Sequence, residues 1–162
     1  MKEIIYFAYG SNLNIEKMNK RCPSSNILGS TILKDYKLVF KGSSQGKSYL
    51  TIEESPNSIV PIGIYQISSL DEKRLDIYEG YPNLYSKKEI SLPFKNPNSK
   101  ELQEIKGIIY IMNPLYSYNK PSYSYYLICQ KGYLDFQFDL QYLEDALKES
   151  QSKKLNKNIF PL

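Results

Sequence analysis

Histidine and tryptophan are absent from this 162-residue chain, and only two cysteines occur. The missing histidine excludes the most. Without it there is no Ser-His-Asp or Cys-His nucleophilic site and no imidazole metal ligand. The side chain most used for proton transfer at neutral pH is also gone. A pair of cysteines cannot by itself complete a structural zinc site. Acid–base chemistry must fall to Asp, Glu, Lys, Tyr or Cys. Long apolar runs are missing too, and no stretch approaches the length of a membrane span. The run from Ile4 to Ala8 follows Lys2-Glu3 and is too short for a secretory core. The expected location is therefore cytoplasmic, with no membrane partner. Cys22 and Cys129 read as idle thiols, with a structural disulfide as the alternative.

What is present is ordinary in bulk and unusual in detail. The chain is 41% hydrophobic and 23% charged, with sixteen tyrosines. Its net charge of +4 is spread over separated residues, among them Lys17, Lys20, Arg21, Lys34, Lys37, Lys41, Lys87 and Lys88. No dense basic run precedes the end of the chain, so no nucleic-acid partner is expected. The length fits one domain, assigned to residues 1–150, followed by a basic, Asn-rich tail over 151–162 that is expected to be partly disordered.

Hydrophobic patterning predicts strands over Ile4–Tyr9, Ile27–Phe40, Tyr49–Ile52, Ile59–Ile67, Tyr85–Leu92 and Ile105–Met112. Ser55-Pro56-Asn57 is expected to close one strand before the next begins. Pro61 and Gly63 suit an edge, a bend or a close backbone approach. Helices are predicted over Ile15–Arg21, from a capping box at Ser69-Leu70-Asp71-Glu72 to Gly80, and over Ser122–Gln130 and Leu140–Ser150. Gly132 is expected to separate the last two. Gly42–Gly46 and Pro93–Glu104 read as loops. Strands and helices do not alternate regularly. This argues for an α+β fold built on a small curved sheet or barrel and against a doubly wound sheet.

Three segments could hold chemistry. The first is Tyr9-Gly10-Ser11-Asn12-Leu13, where a buried strand stops at a tight turn before a helix. That arrangement exposes backbone N–H groups to an anion or carbonyl oxygen, although such turns often only reverse the chain, and Asn12 could serve as a helix cap. Tyr6, Phe7 and Tyr9 set aromatic rings beside it. The second is Asp76-Ile77-Tyr78-Glu79-Gly80-Tyr81-Pro82. Glu79 falls at a helix C-terminus, where the dipole disfavours negative charge. If buried near Tyr78 and Tyr81 it would hold its proton more tightly, as a general base that later acts as an acid requires. If solvated it is a surface residue beside a capping glycine. The third is Pro121-Ser122-Tyr123-Ser124-Tyr125, a helix start whose Tyr125 either packs on the core or presents its hydroxyl to a ligand.

Taken in order, these segments resemble the gamma-glutamylcyclotransferase-like family, which includes AIG2-like and BtrG-like proteins. The resemblance runs from Tyr6 to about Gly132. It rests on Tyr9-Gly10-Ser11-Asn12-Leu13, Asp35-Tyr36-Lys37-Leu38-Val39-Phe40, Gly63-Ile64-Tyr65, Leu75-Asp76-Ile77-Tyr78-Glu79-Gly80 with Tyr85 beyond it, and Pro121-Ser122-Tyr123-Ser124-Tyr125. Lys37 stands where Arg is frequent. Tyr78, Tyr81 and Pro82 fit small bacterial members better than glutathione-linked ones.

The resemblance implies a small mixed β-barrel of about five to seven strands flanked by short helices. It also implies cyclisation of a γ-glutamyl group to 5-oxoproline with release of an amine or amino acid, without metal or cofactor. Glu79 maps onto the catalytic glutamate. Tyr9, Gly10, Ser11, Asn12 and Leu13 map onto the substrate-binding loop, with Tyr85 and Tyr125 as further substrate contacts. The partner implied is a small γ-glutamyl compound. A deprotecting or acyl-transfer enzyme of a biosynthetic pathway, and a binding module that keeps the pocket without catalysis, are the alternatives.

Overall fold

The computed structural model describes residues 2–159. The backbone begins with β1 (Glu3–Ala8), a single 3₁₀ turn over Ser11–Leu13 and α1 (Ile15–Arg21). A long hairpin follows, β2 (Asn26–Ser44) and β3 (Lys47–Ser68), and then α2 (Ser69–Tyr78). A second hairpin, β4 (Tyr85–Lys95) and β5 (Leu102–Met112), leads to the short β6 (Ser117–Tyr118). The chain ends in α3 (Tyr123–Asp135) and α4 (Gln141–Ile159).

One six-stranded sheet has the order β4-β5-β1-β3-β2-β6. Every pair is antiparallel except β1 with β5. The sheet curls until the start of β2 meets the end of β4. Thr31 Oγ1 donates to the Pro93 carbonyl at 2.5 Å, and the Phe94 ring lies against Gly29. The fold is thus α+β, a mixed, curled half-barrel with flanking helices, in keeping with the small mixed β-barrel that the resemblance implied. Its interior is filled by Phe7, Phe40, Leu50, Ile62, Ile64, Tyr65 and Ile109, all buried. None of the described helices is long and apolar enough to cross a membrane.

The strands are longer than patterning alone predicts. β3 runs unbroken through Ser55-Pro56-Asn57. The turn chemistry there is spent on an irregularity, with Asp35 at φ 64° and Asn57 at φ 67° between the pairs Lys34–Ile59 and Tyr36–Glu54. Asp and Asn tolerate this left-handed backbone, and the Asn57 N–H donates to Asp35 Oδ1 at 3.0 Å. Residues 42–44 extend β2, and the ends of the expected loop at Pro93–Glu104 are taken up by β4 and β5. β3 lies inside the sheet, so Pro61 is not on an edge strand. It is tolerated because β1 ends opposite Gly63, leaving that flank of β3 unpaired beyond it. Gly63 is the site of close approach: a Cβ there would stand 2.5 Å from Leu13 Cδ2 and 2.7 Å from the Phe136 ring.

The helices also differ at their ends. α2 is capped by Ser68, whose hydroxyl accepts from the Asp71 N–H, rather than by Ser69. α1 is capped by Asn14 rather than Asn12, which frees the Asn12 side chain. Gly132 sits within α3 because that helix presses against the Ser11–Leu13 turn; a Cβ would come within 2.4 Å of the Asn14 nitrogen. α4 continues through the segment read as a tail as far as Ile159, and Lys153 pairs with Glu53 at 3.1 Å. Residues 160–162 of that expected tail lie outside the described residues. Both cysteines are free and buried, so the disulfide alternative is excluded.

Candidate active site

β1 ends in the middle of the sheet, and the turn that follows is fastened from below. The Tyr65 hydroxyl donates to the Asn12 carbonyl at 2.8 Å, and the Tyr133 hydroxyl donates to the Tyr9 carbonyl at 2.8 Å. Leu13 is fully buried between Gly63 and Gly132. It therefore anchors the turn and lines neither cavity beside Glu79. The N–H groups of Ser11 and Asn12 open the single 3₁₀ turn and have no acceptor inside it.

Glu79 closes α2 at the C-cap, and Gly80 takes φ 62° to end the helix there. This brings the carboxylate back onto the turn: Asn12 Nδ2 donates to Glu79 Oε1 at 3.1 Å and to the Tyr6 hydroxyl at 2.8 Å. The residue as a whole is half-buried, but its carboxyl points inward among tyrosine rings. Desolvation there raises its pKa to about 7, against the opposing pull of the Arg21 charge and the Asn12 hydrogen bond.

Two adjoining cavities meet at this carboxylate. The inner one, about 30 Å³, is lined by Tyr9, Gly10, Ser11, Asn12, Tyr110 and Glu79 together with Tyr6, Leu50, Tyr85 and Tyr125. The outer one, about 230 Å³, shares Ser11, Glu79, Tyr85 and Tyr125 and adds Tyr49, Tyr78 and Leu84. Tyr85 and Tyr125 grip one residue of the wall from both sides. The Tyr85 hydroxyl donates to the Leu50 carbonyl at 2.7 Å, and the Leu50 N–H donates to the Tyr125 hydroxyl at 3.1 Å. Burial holds the hydroxyls of Tyr6, Tyr9, Tyr85 and Tyr125 well above their ordinary pKa. They remain neutral, so the carboxylate faces dipoles and no competing phenolate.

The structure thus gathers Glu79, Tyr9, Gly10, Ser11, Asn12, Tyr85 and Tyr125 around one cleft. It adds groups that sequence reading missed. Tyr110 lines the inner cavity, accepts at its carbonyl from the Tyr9 hydroxyl at 2.5 Å and donates to Asp76 Oδ1 at 2.6 Å. Asp76 is in turn held by Lys87 at 2.9 Å. Arg21 reaches the turn from the end of α1. Its sequence signal was only a basic residue at a helix C-terminus, which the dipole alone accounts for.

Known proteins resemble this chain over half to nine-tenths of its length. The family model described as gamma-glutamyl cyclotransferase, AIG2-like, matches residues 6–130. A protein of Homo sapiens named gamma-glutamylcyclotransferase is 31% identical over 151 residues, spanning 88% of this chain and 77% of the relative. One of the same name from Bos taurus is 36% identical over 86 residues, spanning 49% of this chain and 45% of its own. A solved structure named gamma-glutamyl cyclotransferase superposes with a TM-score of 0.72 at 28% identity, covering 90% of this chain and 86% of that one.

Proposed function

The chain belongs to the AIG2-like gamma-glutamyl cyclotransferase family of enzymes, and from that premise we propose that it cyclises a γ-glutamyl group to 5-oxoproline in the cytoplasm. The amine or amino acid bonded to that group is released. The observation that carries this reading is Glu79, a carboxylate turned into a tyrosine-lined cavity with its pKa raised to about 7.

The reaction is intramolecular, so the enzyme must fold the substrate into an attacking conformation and move protons. The substrate's α-ammonium gives a proton to Glu79. The freed amine attacks the γ-carbonyl carbon, a C–N bond forms, and the carbonyl oxygen takes the electron pair. As the tetrahedral intermediate collapses, the carbonyl re-forms, the old γ-carbon–nitrogen bond breaks and Glu79 returns its proton to the departing nitrogen. The carboxylate then takes the second proton from the positively charged ring nitrogen, leaving neutral 5-oxoproline, and that proton passes to the released amine. A carboxyl group with a pKa near 7 can perform both transfers near neutral pH. The Ser11 and Asn12 amides are suited to the substrate's α-carboxylate or to the oxyanion. Tyr9, Gly10, Tyr85 and Tyr125 shape the cavity that holds it, and the outer cavity is the place for the leaving amine.

The test is a panel of γ-glutamyl amino acids and γ-glutamylamines assayed for 5-oxoproline, with Glu79→Gln as control. Turnover of at least one member that disappears in the variant is the expected result. If the wild type turns over none of them, the chain is a binding module and the proposal falls.

A further inference from the structure

Arg21 lines neither cavity. It lies behind the cleft, where it joins the three pieces of chain that meet at Glu79. Its guanidinium carbon stacks 3.7 Å from the centroid of the Tyr78 ring. Its Nη1 donates to Asn12 Oδ1 at 2.5 Å and to Ser11 Oγ at 3.3 Å. Ser11 Oγ and the Tyr78 hydroxyl share a further hydrogen bond of 3.2 Å, which closes the ring of contacts.

The consequence lies in the Asn12 amide. A primary amide offers a donor on one side and an acceptor on the other, and which side faces where is set by its neighbours. With Oδ1 taken by a guanidinium, Nδ2 must face the Tyr6 hydroxyl and Glu79. Turned over, the amide would set its oxygen against the Glu79 carboxylate and its NH₂ against the Arg21 cation, two repulsive contacts at once. A neutral side chain at position 21 would remove one of these penalties and the cation together.

The remaining groups around Glu79 do not substitute for this. Tyr6 and Tyr9 from β1 and its turn, Tyr85 from β4 and Tyr110 from β5 are buried and hold their protons, as does the half-buried Tyr125 from α3. Tyr78 of α2, although more exposed, also holds its proton. Asp76 is engaged by Tyr110 and Lys87. Arg21 is the cation whose charge acts on Glu79.

We propose that Arg21 is a positioning residue: it fixes the direction of the Asn12 amide toward Glu79 and so controls when Glu79 is free to accept a proton. This rests on Glu79 as the proton-carrying group of the proposed reaction, but its test does not require turnover.

The experiment titrates the Glu79 side-chain carboxyl by ¹³C NMR, its resonance assigned by its loss in Glu79→Gln. The midpoint is compared in the wild type, Arg21→Gln and Arg21→Lys. In R21Q the midpoint should rise by roughly one pH unit, because an opposite charge and an oriented donor are both withdrawn. In R21K, which keeps the charge and a donor, it should return close to the wild-type value. Where 5-oxoproline formation is measurable, the acid limb of kcat/KM should move with the midpoint in R21Q while KM changes little. A merely structural role would lower thermal stability in both variants without moving the midpoint. An unmoved midpoint in folded R21Q, or equal shifts in R21Q and R21K, overturns the proposal. Should R21Q not fold, Asn12→Ala interrogates the same link, and its Glu79 midpoint must rise. A midpoint that moves in a protein without γ-glutamyl activity would reject the proposed reaction and retain this inference.

Discussion

The Asn12 side-chain amide donates to the Glu79 carboxylate at 3.1 Å, across 67 positions of sequence. The contact joins a turn at the end of a central strand to the cap of a helix. Each side depends on the other: the amide gives the carboxylate its hydrogen bond, and the carboxylate gives the turn a reason to present a buried Asn. The expected consequences follow from this pairing and from the burial around it.

Glu79→Gln should keep the fold and lose the chemistry. Gln can accept and donate hydrogen bonds at the same place but cannot carry a proton between two nitrogens. We expect kcat to fall by about 10²–10⁴. A non-cyclisable γ-glutamyl analogue should still bind when followed by calorimetry. Near wild-type turnover would remove Glu79 from its role.

The same residue should make stability fall with rising pH. Its folded pKa, about 7, lies above that of a solvated carboxyl, so between the two values the native state holds more protons than the unfolded state. The contribution is fully present at acid pH, below the unfolded value, and is lost as pH rises through about 7. The loss is on the order of 3 kcal/mol. Denaturant midpoints at pH 5 and pH 8 should show this difference in the wild type, and Glu79→Gln should abolish it. A wild type whose midpoint rises across the same interval would contradict the buried carboxyl.

Gly132→Ala should be costly although alanine favours helices. The added methyl would lie 2.4 Å from the Asn14 nitrogen and 2.6 Å from the Leu13 carbonyl carbon, both backbone atoms that cannot step aside. A loss of about 1–3 kcal/mol is expected, with a lower Tm. Because the turn itself is pushed, activity should fall as well. An unchanged Tm would show that α3 does not press on the turn.

Tyr125→Phe should separate binding from catalysis. The change removes the acceptor for the Leu50 N–H and costs about 1 kcal/mol of stability. It also removes a hydroxyl from the cavity wall. KM is expected to rise roughly tenfold with kcat little altered. A selective drop in kcat would instead give the hydroxyl a part in the proton transfers.

Much of this molecule can be read along the chain. The missing histidines restricted acid–base chemistry to a few residue types. The Tyr-Gly-Ser-Asn turn marked the end of β1, and Gly80 marked the end of α2, so Glu79 could be placed at a helix terminus. These features are local, set by φ angles, capping and apolar period within a few residues. Strand lengths were less legible, because a Pro-Asn pair that usually ends a strand was absorbed by an irregularity facing Asp35. The helical run to Ile159 was hidden for a similar reason. A polar, basic stretch gives no apolar period, and its partner Glu53 lies on a different strand.

Tertiary structure alone decided what the site is made of. Leu13 looked like part of a binding loop and became its anchor, because two glycines far apart in sequence leave room for it. Arg21 looked like one scattered cation among many and came to hold the amide that meets Glu79. Whether Glu79 would be solvated or buried could not follow from its neighbours in sequence. Its proton affinity is raised by desolvation, and the rings around it come from elements spread along the chain, including β1, β4, β5 and α3. Local residues determined where the carboxylate stands on its helix, and long-range packing determined the medium in which it works.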